Sequence, residues 1–83
     1  MKIVWDESKR LANIENHGMD FADLDEAFFD ASVITSAKSR RLAAVGRHHG
    51  GVILVIFAVL GTEAFSIVSM RPASRKERRL IDG

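Results

Sequence analysis

Eighty-three residues, 47% hydrophobic and 28% charged, describe one globular domain with a single modest core and exclude a disordered chain. There is no cysteine, which removes disulfides and thiolate metal sites and fits a reducing cytoplasm. The net charge of +1 conceals an asymmetry: residues 1–37 carry three Lys/Arg against eight Asp/Glu, a charge of −5, and residues 38–83 carry nine against three, a charge of +6. Two such halves either neutralise each other by packing or present opposite faces, one basic for nucleic acid and one acidic for a different partner. The N-terminus MKIVWDESKR lacks the apolar stretch of a signal peptide. The longest apolar run, Val52–Leu60, is nine residues, against roughly twenty for a membrane-spanning helix.

Lys2–Trp5 reads as a short strand. Asp6 then offers an N-cap, and the spacing predicts a helix to about Asn16 with Leu11 and Ile14 inward. Gly18 ends it as a residue able to take positive φ. Asp20 is the next N-cap, with Asp23 at the third helical position in a start resembling a capping box. Phe21, Leu24 and Phe28 recur at three and four residues, so one short helix ending near Phe29–Asp30 buries an aromatic stripe.

Ala31–Thr35 is strand-like, Ser36–Ser39 is a turn, and Arg40–His48 is a further strand. His49-Gly50-Gly51 signals a hairpin. Val52–Val59 is apolar at every position and β-branched, as expected of a central strand covered on both faces. Gly61-Thr62 turns the chain into a strand over Glu63–Met70, and the last helix begins near Ser74 and frays at 81–83. The predicted order is β-α-α-β-β-β-β-α, an α+β fold with an antiparallel sheet packed against helices, as a single domain over 1–83.

Phe65–Arg79, FSIVSMRPASRKERR, is the stretch most suggestive of function. Strand alternation puts Phe65, Ile67, Ser69 and Arg71 on one face. The apolar half anchors in a core, and the polar end reaches a surface beside Arg75, Lys76, Arg78 and Arg79, a cation cluster suited to phosphate. The bland alternative is a solvated C-terminal helix. No metal motif appears: His17, His48 and His49 have no partner at metal-site spacing, and His48 and His49 read as a solvated pair at a turn. There is no Gly-rich phosphate loop and no GxSxG elbow.

What remains is a set of Arg, Lys, Ser and His. Cleavage of RNA without a metal needs little more. The 2′-hydroxyl attacks the adjacent phosphate, a base takes its proton, an acid protonates the leaving 5′-oxygen, and cations stabilise the charge. Arg41 and Arg71, each near the end of a predicted strand, are the best phosphate clamps. His17 has the intrinsic pKa for acid–base work, although a His before a helix-ending Gly often only satisfies helix carbonyls. Asp6 reads as a cap, and Trp5 and the phenylalanines as core.

Several short patterns then occur in order: Trp5-Asp6, Lys9, Asn13, His17-Gly18, Phe21 and Phe28-Phe29-Asp30; Arg41 followed by Gly46; and Val68-Ser69, Arg71, Ala73-Ser74 and Glu77-Arg78. In this order and spacing the chain resembles, over nearly its whole length, the BrnT family of toxins from type II toxin–antitoxin systems. The resemblance implies a RelE-like fold, a ribosome-independent ribonuclease that arrests growth, no cofactor, and a small BrnA-like antitoxin that carries the DNA-binding part, with a toxin dimer in the complex. The chain departs from the family at Ser66, where an Arg is usual, at Pro72, often a Lys, and at Ile81, near a usual Tyr.

Two functions follow from different classes. In the first, a cytoplasmic toxin cleaves RNA: Arg41 and Arg71 clamp the phosphate, Ser69 orients it, His17 is an acid or base, and Lys9, Arg75, Lys76 and Arg78 attract the RNA. In the second, a catalytically weak homologue binds an antitoxin and helps to autoregulate transcription. In the toxin reading, the acidic half or a sheet edge is the surface offered to the antitoxin.

Overall fold

In the computed structural model, which describes residues 1–82, strand β1 (Lys2–Trp5) leads into helix α1 (Glu7–His17). The Asp6 carboxylate accepts from the Ser8 backbone N–H at 2.9 Å and from the Ser8 hydroxyl at 2.8 Å, so Asp6 is a cap, as expected. Gly18, at φ 66°, closes the helix by donating its N–H to the Ile14 carbonyl at 2.8 Å. Leu11 does not point inward and is 56% exposed. The helix is moored by polar groups instead. Buried Asn13 donates to the Met19 carbonyl and accepts from the Met70 N–H, both at 3.0 Å. The Arg10 guanidinium forks onto Asp20 at 2.7 and 2.9 Å.

The single helix expected after Gly18 is two elements. Asp20 caps a 3-10 turn (Phe21–Asp23) through the Ala22 N–H, Leu24 is extended at φ −78° and ψ 143°, and Asp25 caps helix α2 (Glu26–Ala31) through the Phe28 N–H. The aromatic spacing survives the break, because both pieces face the same core: Phe21, Leu24, Phe28 and Phe29 are all buried. Asp23 caps nothing.

Strand β2 (Val33–Ser36) follows α2, which extends through Ala31 and so delays it. Strand β3 (Leu42–His48) begins two residues later than expected, because Ser39 and Arg40 take φ 61° and 62° in the intervening turn. Strand β4 (Gly51–Leu60), strand β5 (Ala64–Pro72) and helix α3 (Arg75–Asp82) complete the order. The expected fraying at 81–83 does not occur at Ile81 or Asp82, and Gly83 lies outside the described residues. The five strands lie in the order β1-β5-β4-β3-β2. From β2 to β5 they form the expected antiparallel meander, but β1 pairs with β5 in parallel, so the α+β sheet is mixed rather than antiparallel throughout.

One face of the sheet carries α1, the 3-10 turn and α2. Its core joins the four residues of that segment to Ala44, Ile53, Val55, Phe57, Ile67 and Met70. Phe29 meets Phe28, Phe57 and Phe65 at centroid distances of 5.1 Å each. Pairs of this kind add about 0.5–1.5 kcal/mol beyond burial alone. The opposite face is smaller: Ala43, Val45 and Leu54, flanked by Val52, Ile56 and Ile81 of α3.

β5 serves both faces, and a bulge shifts which residues do so. Phe57 pairs with Ile67 and Ile56 with Ser69, which leaves Val68 unpaired. Before the bulge, Phe65 and Ile67 face the larger core. After it the alternation changes phase: Met70 joins that core, and Ser69 and Arg71, paired with Ile56 and Leu54, turn to the opposite face. The expectation of one face shared by Phe65, Ile67, Ser69 and Arg71 is therefore corrected by one inserted residue.

Candidate functional site

The smaller face holds a groove of about 460 Å³. Its floor is Ala43, Val45, Leu54 and Ile56, one wall is the turn over 35–41, and the other is α3 through Glu77 and Leu80. Arg41 and Arg71 both line it, from the start of β3 and the end of β5. Two inter-strand steps, about 10 Å, separate these strands. Ser69 lies on the same face, paired with Ile56.

Arg71 is held by Glu77, which the sequence reasoning did not single out as a site residue. Nη1 and Nη2 donate to Oε1 and Oε2, each at 2.9 Å, and Nη1 also donates to the Pro72 carbonyl at 3.0 Å. Glu77 is fixed in turn by a reciprocal capping box: it accepts from the Ser74 N–H at 2.8 Å, and its own N–H donates to the Ser74 hydroxyl at 3.1 Å. The Ser-x-x-Glu spacing was the available signal. The bond from Arg71 holds the Glu77 carboxyl down at about 2, and Glu77 raises the Arg71 pKa in return. A guanidinium has five N–H donors. Glu77 and Pro72 engage three, so among the described residues the edge formed by Nε–H and the second Nη2–H stays unengaged.

α3 presents Arg75, Lys76, Arg78 and Arg79 to solvent. Ile81 packs on the sheet beside Val45 and Leu54, so it serves packing here. Ser66, on the groove's face of β5, pairs with Ala58. Lys9 and His17 lie on α1, across the sheet from the groove, and both are exposed. The structure thus puts Arg41, Ser69 and Arg71 on the face of the sheet that α3 covers, and leaves Lys9 and His17 on the other.

A second cluster was invisible to spacing along the chain. His48 and His49 gain Asp23 as a neighbour, and one ligand atom from each lies within 4.8 Å of the others. The two rings approach to 4.1 Å, and His48 also meets the Phe28 ring edge-on at 6.2 Å. Burial, then the neighbouring His49, lowers the His48 pKa, opposed by Asp23 and Asp25. The expected pair stands at the turn, His49 exposed and His48 half-buried, and Asp23 joins it as a third side chain of a kind that can ligate a metal.

No curated protein matches the chain. A crystal structure of the Brucella abortus ribonuclease toxin BrnT is similar at 50% identity with a TM-score of 0.85, over 90% of this chain and 99% of that one. Residues 5–77 match the family described as the ribonuclease toxin, BrnT, of type II toxin-antitoxin systems. That span takes in Trp5, Asn13, Gly46 and the whole Arg71–Glu77 assembly, and with it this chain belongs to the BrnT family of ribonuclease toxins.

Proposed function

We propose that the chain is a metal-independent endoribonuclease, the growth-arresting toxin of a toxin–antitoxin pair, with the groove under α3 as its active site. The observation that carries this is the Arg71 guanidinium, locked by Glu77 with its Nε–Nη2 edge unengaged on a groove that Arg41 also lines. That edge matches two oxygens of a phosphodiester. Glu77 and a phosphate can occupy Arg71 together, so the carboxylate fixes the fork without blocking it. Held near 2, Glu77 is a poor proton acceptor, and its role is positioning.

The chemistry is attack of the 2′-hydroxyl on the neighbouring phosphorus, with departure of the 5′-oxygen. Arg71 and Arg41 stabilise charge on the non-bridging oxygens, and Ser69 orients one of them. Arg75, Lys76 and Arg78 guide the RNA backbone to the groove. His17, outside the groove, is not part of this set. The fold is RelE-like, the compartment is the cytoplasm, and the neutralising partner is a BrnA-like antitoxin that contacts DNA on the complex's behalf. The exposed carboxylates of α2 and the open edge of β2 are the surfaces offered to it.

The test is RNA cleavage by purified, antitoxin-free protein in excess EDTA. Arg71→Ala, checked for folding by circular dichroism, should lose about 100-fold in rate or more. A folded Arg71→Ala that cleaves like the wild type would remove Arg71 from the chemistry. A folded wild type that cleaves nothing would leave antitoxin binding as the chain's function.

A further inference from the structure

His49 and Gly50 form the two-residue turn between β3 and β4, with φ 49° and 81°. Positive φ at both central residues is the hairpin geometry that favours Asn-Gly or Asp-Gly. In an extended strand, adjacent side chains point to opposite faces. Here the left-handed His49 backbone swings its ring back beside that of His48. Asp23 comes to the same place from the end of the 3-10 turn, twenty-five positions earlier. Among the described residues, none of the three side chains has a hydrogen bond or an ion pair of its own. Two imidazoles and one carboxylate are thus brought together and left without a protein partner.

We infer that Asp23, His48 and His49 bind one divalent ion of the zinc class. Imidazole nitrogen with one carboxylate oxygen suits zinc, cobalt or nickel, and does not suit magnesium or calcium, which take oxygen. Tetrahedral zinc with bonds of about 2.0–2.1 Å sets its ligands about 3.3 Å apart. Ligand atoms already within 4.8 Å reach that spacing by small side-chain rotations, because the turn and the capped 3-10 segment hold the three Cα positions. The three residues leave a fourth position, which opens on a cavity of about 500 Å³ bordered by Asp25, Phe28 and Arg47. Water fills it, or a side chain from a bound protein. The ion staples the 3-10 turn to the β3–β4 hairpin. It lies outside the Arg41–Arg71 groove, and none of its ligands lines that groove, so it is separate from RNA cleavage.

The experiment is a calorimetric titration of zinc chloride into the full-length chain without an affinity tag, with cobalt(II) absorption reporting the geometry. One ion per chain is expected, with the intense visible bands of a tetrahedral cobalt site. At a hundredfold excess of free zinc over Kd, Tm should rise by about 10 °C or more. His49→Asn is the decisive variant. Asn tolerates the left-handed turn, so the hairpin is preserved while one ligand is lost, and binding should weaken by at least about tenfold. His48→Ala and Asp23→Asn should do the same, and His17→Asn should change nothing. Zinc binding that survives His49→Asn and His48→Ala undiminished overturns the site, as does a wild type that takes up no zinc.

Discussion

Glu77→Gln tests the positioning of Arg71 most directly. The substitution keeps the shape and the capping acceptor but removes the negative charge that faces the guanidinium. The folded pKa of Glu77, about 2, lies below its ordinary 4.5. The ionised carboxylate therefore stabilises the fold fully above about pH 4.5, and this contribution is lost as pH falls toward 2. Taken at face value the displacement is worth roughly 3 kcal/mol. The pair is partly solvated, with Arg71 39% and Glu77 25% exposed, and screening reduces the figure to about 1 kcal/mol. In urea unfolding, Glu77→Gln should be less stable by about 1 kcal/mol at neutral pH, and the difference should vanish near pH 2. Asp6 and Asp20, also lowered, titrate alike in both proteins and cancel in the comparison. RNA cleavage by the variant should fall by less than in Arg71→Ala, because the fork is loosened rather than deleted. Parallel pH profiles for wild type and variant would show that the carboxylate contributes nothing in the folded state, and the positioning role would go with it.

Three further outcomes follow. Asn13→Ala removes both bonds of a buried amide and leaves the Met70 N–H and the Met19 carbonyl unpaired, so it should cost about 2–4 kcal/mol by denaturant melt. A loss below 0.5 kcal/mol (roughly the level of a neutral surface change) would mean that water replaces the amide. Gly46→Ala places a Cβ 2.2 Å from the Ser32 hydroxyl and 2.9 Å from the Phe28 ring, and should destabilise by about 1–3 kcal/mol in the same assay. An unchanged midpoint would show that α2 moves away freely. Replacing Arg75, Lys76 and Arg78 with Gln should lower RNA affinity evenly across sequences and flatten its dependence on salt by nearly one charge per residue removed. An unaltered slope would place the RNA elsewhere.

The local code of the chain was easy to read where a residue's partner lies within a few positions. Asp6, Gly18, Asp20 and Ser74 announce helix boundaries by their own chemistry, and the His49-Gly50 turn joins the two strands it was expected to join. What failed depended on distance. The buried side of α1 is Asn13, whose partner Met70 is 57 positions away, so apolar periodicity pointed to Leu11 instead. The bulge at Val68 carries no glycine to mark it. The parallel pairing of β1 with β5 joins the two ends of the chain. The groove shows the same division. Arg41 and Arg71, singled out near strand ends, both line the groove, because strand ends are where long cations reach solvent. Glu77 was passed over because it belonged visibly to a motif, and its second bond, across the bend to Arg71, did not. Asp23 was taken for a capping residue on the same ground.

The unpaired Val68 also sets how this molecule tolerates change. A substitution at Ser69 or Arg71 alters the groove and leaves Ile67 and Met70 in their core. A change of length acts differently. Deleting Val68 would join Ile67 directly to Ser69 and restore simple alternation, with Ile67 and Met70 still in the larger core and Ser69 and Arg71 still on the groove's face. Flattening the bulge with Val68 retained would instead slip the far half of the strand by one residue: Met70 would turn toward the groove, and the Arg71 charge would turn into the larger core, where Phe57 and Val55 stand. β5 can therefore diverge residue by residue in what it presents to the groove, and it can lose its one extra residue, but it has to keep the bulge for as long as it keeps Val68.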